Sequence, residues 1–275
     1  MTLAIHQTTS ARAGYRKSLE GWARAGIKQV EITNTVLDEF LQNNSLADAR
    51  RVLADLGLIA VQGAVGVTGL WEPNPNRAAA FDELKTRCEM YANLGLKAVY
   101  ATTVCTRKIS MEDYAGAARH MHEAGEIARQ FSLSLRIEFV RSSTFISTLP
   151  TLLRITRASA HPNIAPMFDC YHFWSGLSKM EDLDLIRHGE IAHVHFQDTP
   201  EMPRELLDIP TRVIAGDGIC PLVAILKKLA EQGYSGPLSV ELFLPKFQHG
   251  DPFEVAREIR DKSEAVMRRA GVMSR

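Results

Sequence analysis

The chain has 275 residues, 45% hydrophobic and 23% charged, with 32 basic residues against 32 acidic ones. That length is enough for one large core, so a single domain over residues 1–275 is expected. Zero net charge supplies no field to gather nucleic acid or an anionic membrane, which leaves a small molecule as the expected partner.

The start, Met1-Thr2-Leu3-Ala4-Ile5-His6, lacks a basic stretch followed by an apolar one, and no window approaches about eighteen uninterrupted apolar residues. Cys88, Cys105, Cys170 and Cys220 form no CxxC pair, which argues against a zinc ribbon, a redox motif or a disulfide scaffold. A cytoplasmic protein with free thiols is expected, monomeric or homo-oligomeric.

In chain order, short apolar runs predict strands near Leu3 to Gln7, Gln29 to Thr33, Ile59 to Ala64, Ala98 to Thr102, Ser134 to Phe139, Ile164 to Asp169, Ile191 to Phe196 and Pro237 to Leu242. Helical three-and-four spacing lies between them: Phe81, Leu84, Cys88 and Tyr91, then Tyr114, Ala117, Met121 and Ala124, then Leu222, Ile225, Leu226 and Leu229. A recurring junction, Ala25-Gly26-Ile27, Leu56-Gly57-Leu58, Leu94-Gly95-Leu96 and Gln232-Gly233-Tyr234, reads as a helix ending in glycine before a new strand. Eight strands alternating with helices predict a (β/α)8 barrel. The alternative, an open doubly wound sheet, lacks its glycine fingerprint, since Ile5-His6-Gln7-Thr8 follows the first strand. Three long connections, Gly66 to Arg77, Tyr171 to Lys179 and Thr199 to Gly218, follow strands and either cover a substrate or seal the barrel end.

Glu138, Asp169, His195 and Glu241 stand at or near the C-terminal ends of four consecutive predicted strands. A strand-end carboxylate alone is usually solvated, and a lone histidine is usually a satisfied core group. Together, on one rim of a barrel, three carboxylates and an imidazole make a divalent-metal site. A set of hard oxygens and one nitrogen, without thiolate, favours Mn²⁺ or Mg²⁺, with Zn²⁺ and Co²⁺ as alternatives. His193 shares a strand face with His195 and is expected one layer deeper as a buried, hydrogen-bonded group.

The chain resembles the sugar-phosphate isomerase/epimerase superfamily, the xylose isomerase-like TIM barrels that include AP endonuclease family 2, over its whole length. The resemblance rests on Ile137-Glu138-Phe139-Val140, Phe168-Asp169-Cys170-Tyr171-His172-Phe173, Val194-His195-Phe196-Gln197-Asp198-Thr199, Arg212 with Gly216-Asp217-Gly218, and Ser239-Val240-Glu241-Leu242-Phe243. These pieces are most similar to the inosose (2-keto-myo-inositol) isomerase branch. The resemblance implies one divalent metal ion held by Glu138, Asp169, His195 and Glu241, and a keto-sugar or keto-cyclitol isomerised or epimerised through a metal-stabilised enediolate. Glu138 and Glu241 would move the proton.

His172, in the Asp-x-x-His pattern of the family, is expected to hydrogen-bond a substrate oxygen or position a metal ligand, against a plain loop histidine. Arg212 is expected to grip a substrate hydroxyl or phosphate, against a surface ion pair. His6 faces the same rim and is expected to contact substrate, against a core role. Trp174 and Trp71 wall the pocket or pack their own loops. Lys246 and Gln248 reach the pocket mouth or lie in solvent.

The chain departs from parts of that superfamily. Val61-Gln62-Gly63 and Thr102-Thr103-Val104 stand where the three-zinc nucleases need further histidines, and no basic stripe marks a DNA track. Glu201 and Thr144 replace an arginine and a glutamate of the ketose 3-epimerases, and Ile214-Ala215-Gly216 lacks the proline that relatives often place before the glycine. A dehydratase of the 3-dehydroshikimate type is the rival reaction, because the same intermediate can expel a β-hydroxyl. A non-catalytic sugar-binding barrel is the third reading, disfavoured by the pair Glu138 and Glu241.

Overall fold

A computed structural model describes residues 1–273. Eight parallel strands close a barrel in chain order: β1 (Thr2–His6), β2 (Gln29–Ile32), β3 (Ile59–Ala64), β4 (Ala98–Thr102), β5 (Ser134–Glu138), β6 (Ile164–Asp169), β7 (His193–His195) and β8 (Pro237–Val240). β8 pairs with β1, from Thr2 opposite Pro237 to Ile5 opposite Val240, so no sheet edge is left open. The predicted strand positions hold, with β1 shifted by one residue, β2 and β5 one residue shorter, and β7 and β8 trimmed further. β7 spans three residues because its ladder on β6 runs from Met167 opposite His193 to Asp169 opposite His195. β8 ends at Val240, so Glu241 stands one residue past the strand, at the rim.

The connecting helices bury one stripe each against the barrel. In the helix Arg77–Leu94 that stripe is Leu84, Cys88, Tyr91 and Leu94, while Phe81, the first residue of the pattern read from sequence, is only partly buried against it. Each such leucine contributes about 1.5–3 kcal/mol by leaving water. Gly26, Gly57, Gly95 and Gly233 all have positive φ, which is the conformation a helix-ending glycine supplies before the chain turns back into a strand. The last helix, Pro252–Ala270, is capped by Asp251, whose side chain accepts from the Phe253 and Glu254 amides. It packs on the first helix, Gly14–Arg24, where a Cβ on Gly21 would come within 2.6 Å of the Pro252 Cβ.

Cys88, Cys105, Cys170 and Cys220 are buried free thiols. No helix among the described residues is long and apolar enough to cross a membrane. Of the long loops, the one after β3 carries Trp71 inward, where its indole N–H donates to the Thr102 carbonyl at 2.9 Å. Trp71 therefore packs its loop rather than walling a pocket.

Candidate metal centre

Four ligating atoms, one each from Glu138, Asp169, His195 and Glu241, lie within 4.8 Å of one another, and all four residues are buried. The parallel register makes this local: Asp169 sits opposite His195 on the neighbouring strand, and Glu138 ends the strand on the other side of β6. His195 Nδ1 is 2.8 Å from Glu138 Oε1, 3.5 Å from Asp169 Oδ2 and 3.6 Å from Glu241 Oε2.

Asp169 has a double duty. Its Oδ1 accepts from the His172 amide at 2.6 Å, capping the short helix Cys170–Ser175, while Oδ2 accepts from Gln197 Nε2 at 2.7 Å. The Asp-x-x-His spacing is thus the geometry of an N-cap, and it turns His172 back over the rim. Arg212 is fully buried: its guanidinium pairs with Glu241, lies 3.5 Å from Asp169 Oδ2, and donates to His172 Nε2 at 2.8 Å. The surface-pair alternative for Arg212 is excluded. The turn that delivers it is pinned by Asp198, which accepts from the Gly216 and Cys220 amides, and a Cβ on Gly218 would lie 2.2 Å from the Thr199 carbonyl.

The three carboxylates differ in charge environment. Burial pushes the Glu138 carboxyl up to about 8, with like charge from Asp169 and Glu241 adding to it against the pull of His195. Burial acts the same way on Asp169 and Glu241, but Arg212 reverses it and holds both below the usual carboxylate range. His172 is driven down to about 4 by burial, with Arg212 adding to the effect against Asp169. His172 is therefore neutral at pH 7, with its Nε2 lone pair engaged by Arg212.

His6 lies on the other side of Glu241, with Nδ1 at 3.6 Å from Oε1. The Thr8 amide donates to Nδ1 at 3.2 Å, so in the neutral ring the proton sits on Nε2, 3.0 Å from the Tyr100 hydroxyl. Tyr100 accepts that bond, and its own O–H is free to donate. His6, Tyr100 and Glu241 line a cavity of about 160 Å³ together with Thr33, Gly66 and Thr102. Trp174 is not among its lining residues; the Arg204 guanidinium lies 5.9 Å from its ring centre. Lys246 is exposed, and Gln248 donates to the Thr8 carbonyl at 3.4 Å.

Sequence reasoning passed over Tyr100 and a polar group beneath the rim. Glu31, on β2, is fully buried. One of its oxygens accepts from Gln62 Nε2 at 2.7 Å, and both stand near histidines: His193 Nε2 at 3.1 Å from Oε2, His195 Nε2 at 3.1 Å from Oε1. Arg136 extends the group, donating to Gln62 Oε1 at 2.7 Å and lying 3.3 Å from His193 Nδ1. His193 is the buried, hydrogen-bonded residue expected.

The donor chemistry fits a divalent cation. Three carboxylates and an imidazole nitrogen converge without a thiolate, and this much negative charge in a buried layer calls for more positive charge than Arg212 alone brings.

Residues 19–266 match the profile of the xylose isomerase-like TIM barrel family. The chain is 28% identical over 266 residues to inosose isomerase of Bacillus velezensis, covering 94% of each. It is 26% identical over 274 residues to inosose isomerase of Halalkalibacterium halodurans, covering 97% of this chain and 96% of that one. Among solved structures, the crystal structure of IOLI protein with a binding zinc atom superposes over 100% of both chains with a TM-score of 0.91 at 24% identity, a likeness of fold.

Proposed function

The chain belongs to the xylose isomerase-like TIM barrel family, and on that premise we propose that it is a divalent-metal-dependent isomerase or epimerase of a keto-sugar or keto-cyclitol, with an inosose as its substrate. The observation that carries this reading is the convergence of three carboxylates and the His195 Nδ1 beside a small cavity. The shared name of the relatives supports the substrate class.

Glu138, Asp169, His195 through Nδ1, and Glu241 would hold the cation. Bound there, it would supply positive charge for the carbonyl oxygen, lowering the cost of removing a proton from the adjacent carbon. The oxygen-rich set favours Mn²⁺ or Mg²⁺, and the zinc of the similar fold keeps Zn²⁺ as a candidate.

The chain's own groups then divide the proton work. Glu241 lines the cavity and is kept ionised by Arg212, so its carboxylate is the acceptor for the substrate proton. Glu138 has no such partner and must give up its own proton to ligate the cation, so in the loaded site it is the second carboxylate, which would relay the proton that Glu241 takes up. Tyr100 stays neutral, since burial and the nearby carboxylates raise its pKa well above 10, and its free O–H would donate to a substrate oxygen. Arg212 and His172 orient Glu241 rather than act as bases, because each is committed to the other.

Proton NMR in D₂O tests this. The metal-loaded protein should exchange the proton next to the carbonyl of an inosose for deuterium without net loss of water. Formation of a conjugated product from 3-dehydroshikimate instead would make it a dehydratase, and no exchange with any inosose or ketose would remove the isomerase reading.

A further inference from the structure

We infer that Glu31 is a positioning residue of this centre: from the layer below the rim it holds His195 by its Nε2–H, so that Nδ1 is the atom turned toward Glu138, Asp169 and Glu241. The inference rests on the metal-centre reading and extends it to a residue outside the ligand set. An imidazole can present either nitrogen to a cation, and which one it presents is set by the hydrogen bond at the other.

The surroundings of Glu31 leave it one role. Its Oε1 accepts from Gln62 Nε2, a side-chain amide whose own oxygen is taken by Arg136 Nη1, so Gln62 must present its NH₂ to Glu31. Arg136 also lies 3.3 Å from His193 Nδ1, and a guanidinium has only protons to offer, so the His193 proton sits on Nε2 and points at Glu31 Oε2. Two donors of fixed direction thus fill the lower side of the Glu31 carboxylate. On the upper side stands His195 Nε2, 3.1 Å from Oε1 and 3.3 Å from Oε2. An acceptor-only group at that position requires Nε2 to carry the proton, which leaves Nδ1 for the rim.

The chain from Arg136 through Gln62 and His193 to Glu31 therefore has a direction, set at its lower end by the guanidinium. Glu31 is fully buried, and the nitrogens of Gln62, His193 and His195 are the groups turned toward its two oxygens, so its place in the network is that of the common acceptor. A glutamine at position 31 has the same shape but brings an NH₂ into a place where Gln62, His193 and His195 all present protons. One of those contacts must become donor against donor, and the acceptor that met His195 Nε2 with both of its oxygens is lost.

The test is a titration of chelator-stripped protein with Zn²⁺ alone, in wild type and Glu31→Gln, read as binding affinity with circular dichroism as the check of fold. The variant should bind Zn²⁺ about 10- to 100-fold more weakly, with unchanged secondary structure. A second reading needs no variant: in ¹⁵N-resolved NMR of the Zn²⁺-loaded wild type, His195 should coordinate through Nδ1 and keep a solvent-protected Nε2–H. Wild-type affinity in Glu31→Gln, or coordination through His195 Nε2, overturns the role of Glu31 while leaving the metal centre intact. A wild type that binds neither Zn²⁺ nor Mn²⁺ overturns the centre itself, and the role of Glu31 with it.

Discussion

Two adjacent layers of the barrel interior are both polar and both buried, yet they are balanced in opposite ways. In the lower layer one guanidinium stands against one carboxylate through a directed chain: Arg136 serves Gln62 and His193, and these serve Glu31. In the upper layer, which begins two residues further along β5 and β7, carboxylates are in surplus, because Glu138, Asp169 and Glu241 converge on one nitrogen of His195 with Gln197 and Arg212 as their side-chain donors. A matched buried network is rigid and chemically quiet, whereas a surplus of buried carboxylate costs free energy that a cation can offset. The lower layer holds geometry, and the upper one does chemistry.

The sharpest way to break that contrast is to change the upper carboxylates. Glu241→Gln or Glu138→Gln should lower kcat by about 10³-fold with the circular dichroism spectrum unchanged, and near-normal turnover in both would remove the division of proton work between them.

Next in size is pH. Glu138 with a pKa raised to about 8 binds a proton below that pH, and the proton must leave before the carboxylate can ligate. Cation affinity, followed by competition with a chelator at a series of pH values, should therefore rise as pH climbs toward 8, by up to about tenfold per unit for each proton displaced, and then level off. Affinity that falls over this range would contradict the surplus-carboxylate picture.

Tyr100→Phe removes the donor facing the cavity and keeps the ring. A loss of up to about tenfold in kcat/KM is expected, the range of one neutral hydrogen bond, with metal affinity unchanged. The smallest effect on function should come from His193→Phe, which removes one of the donors to Glu31 and should cost about 1–3 kcal/mol of stability. Measured by denaturant unfolding, that loss should exceed any change in kcat.

The upper layer was legible from sequence, whereas of the lower one only His193 was, for a physical reason. Glu138 and Asp169 end apolar runs, and Glu241 directly follows one, so position alone marked them. Glu31 lies inside Gln29-Val30-Glu31-Ile32, which alternates as a half-exposed strand does, and a charged residue there reads as solvated. In a closed barrel the alternate face is the interior. The usable signal was the recurrence of Gln62, Arg136 and His193 at interior positions of other strands, since polar groups with no solvent on either face must pair with one another. The ends of β7 and β8 were overrun because Phe196 and Leu242 continue the apolar pattern into buried loop positions after the ladder has stopped.

The most direct test is anomalous X-ray scattering from crystals of the protein soaked in Mn²⁺ or Zn²⁺. A single peak bounded by Glu138, Asp169, His195 Nδ1 and Glu241 is the result this account predicts. A peak elsewhere, or no peak at these four residues in crystals that hold the cation at other sites, would contradict it.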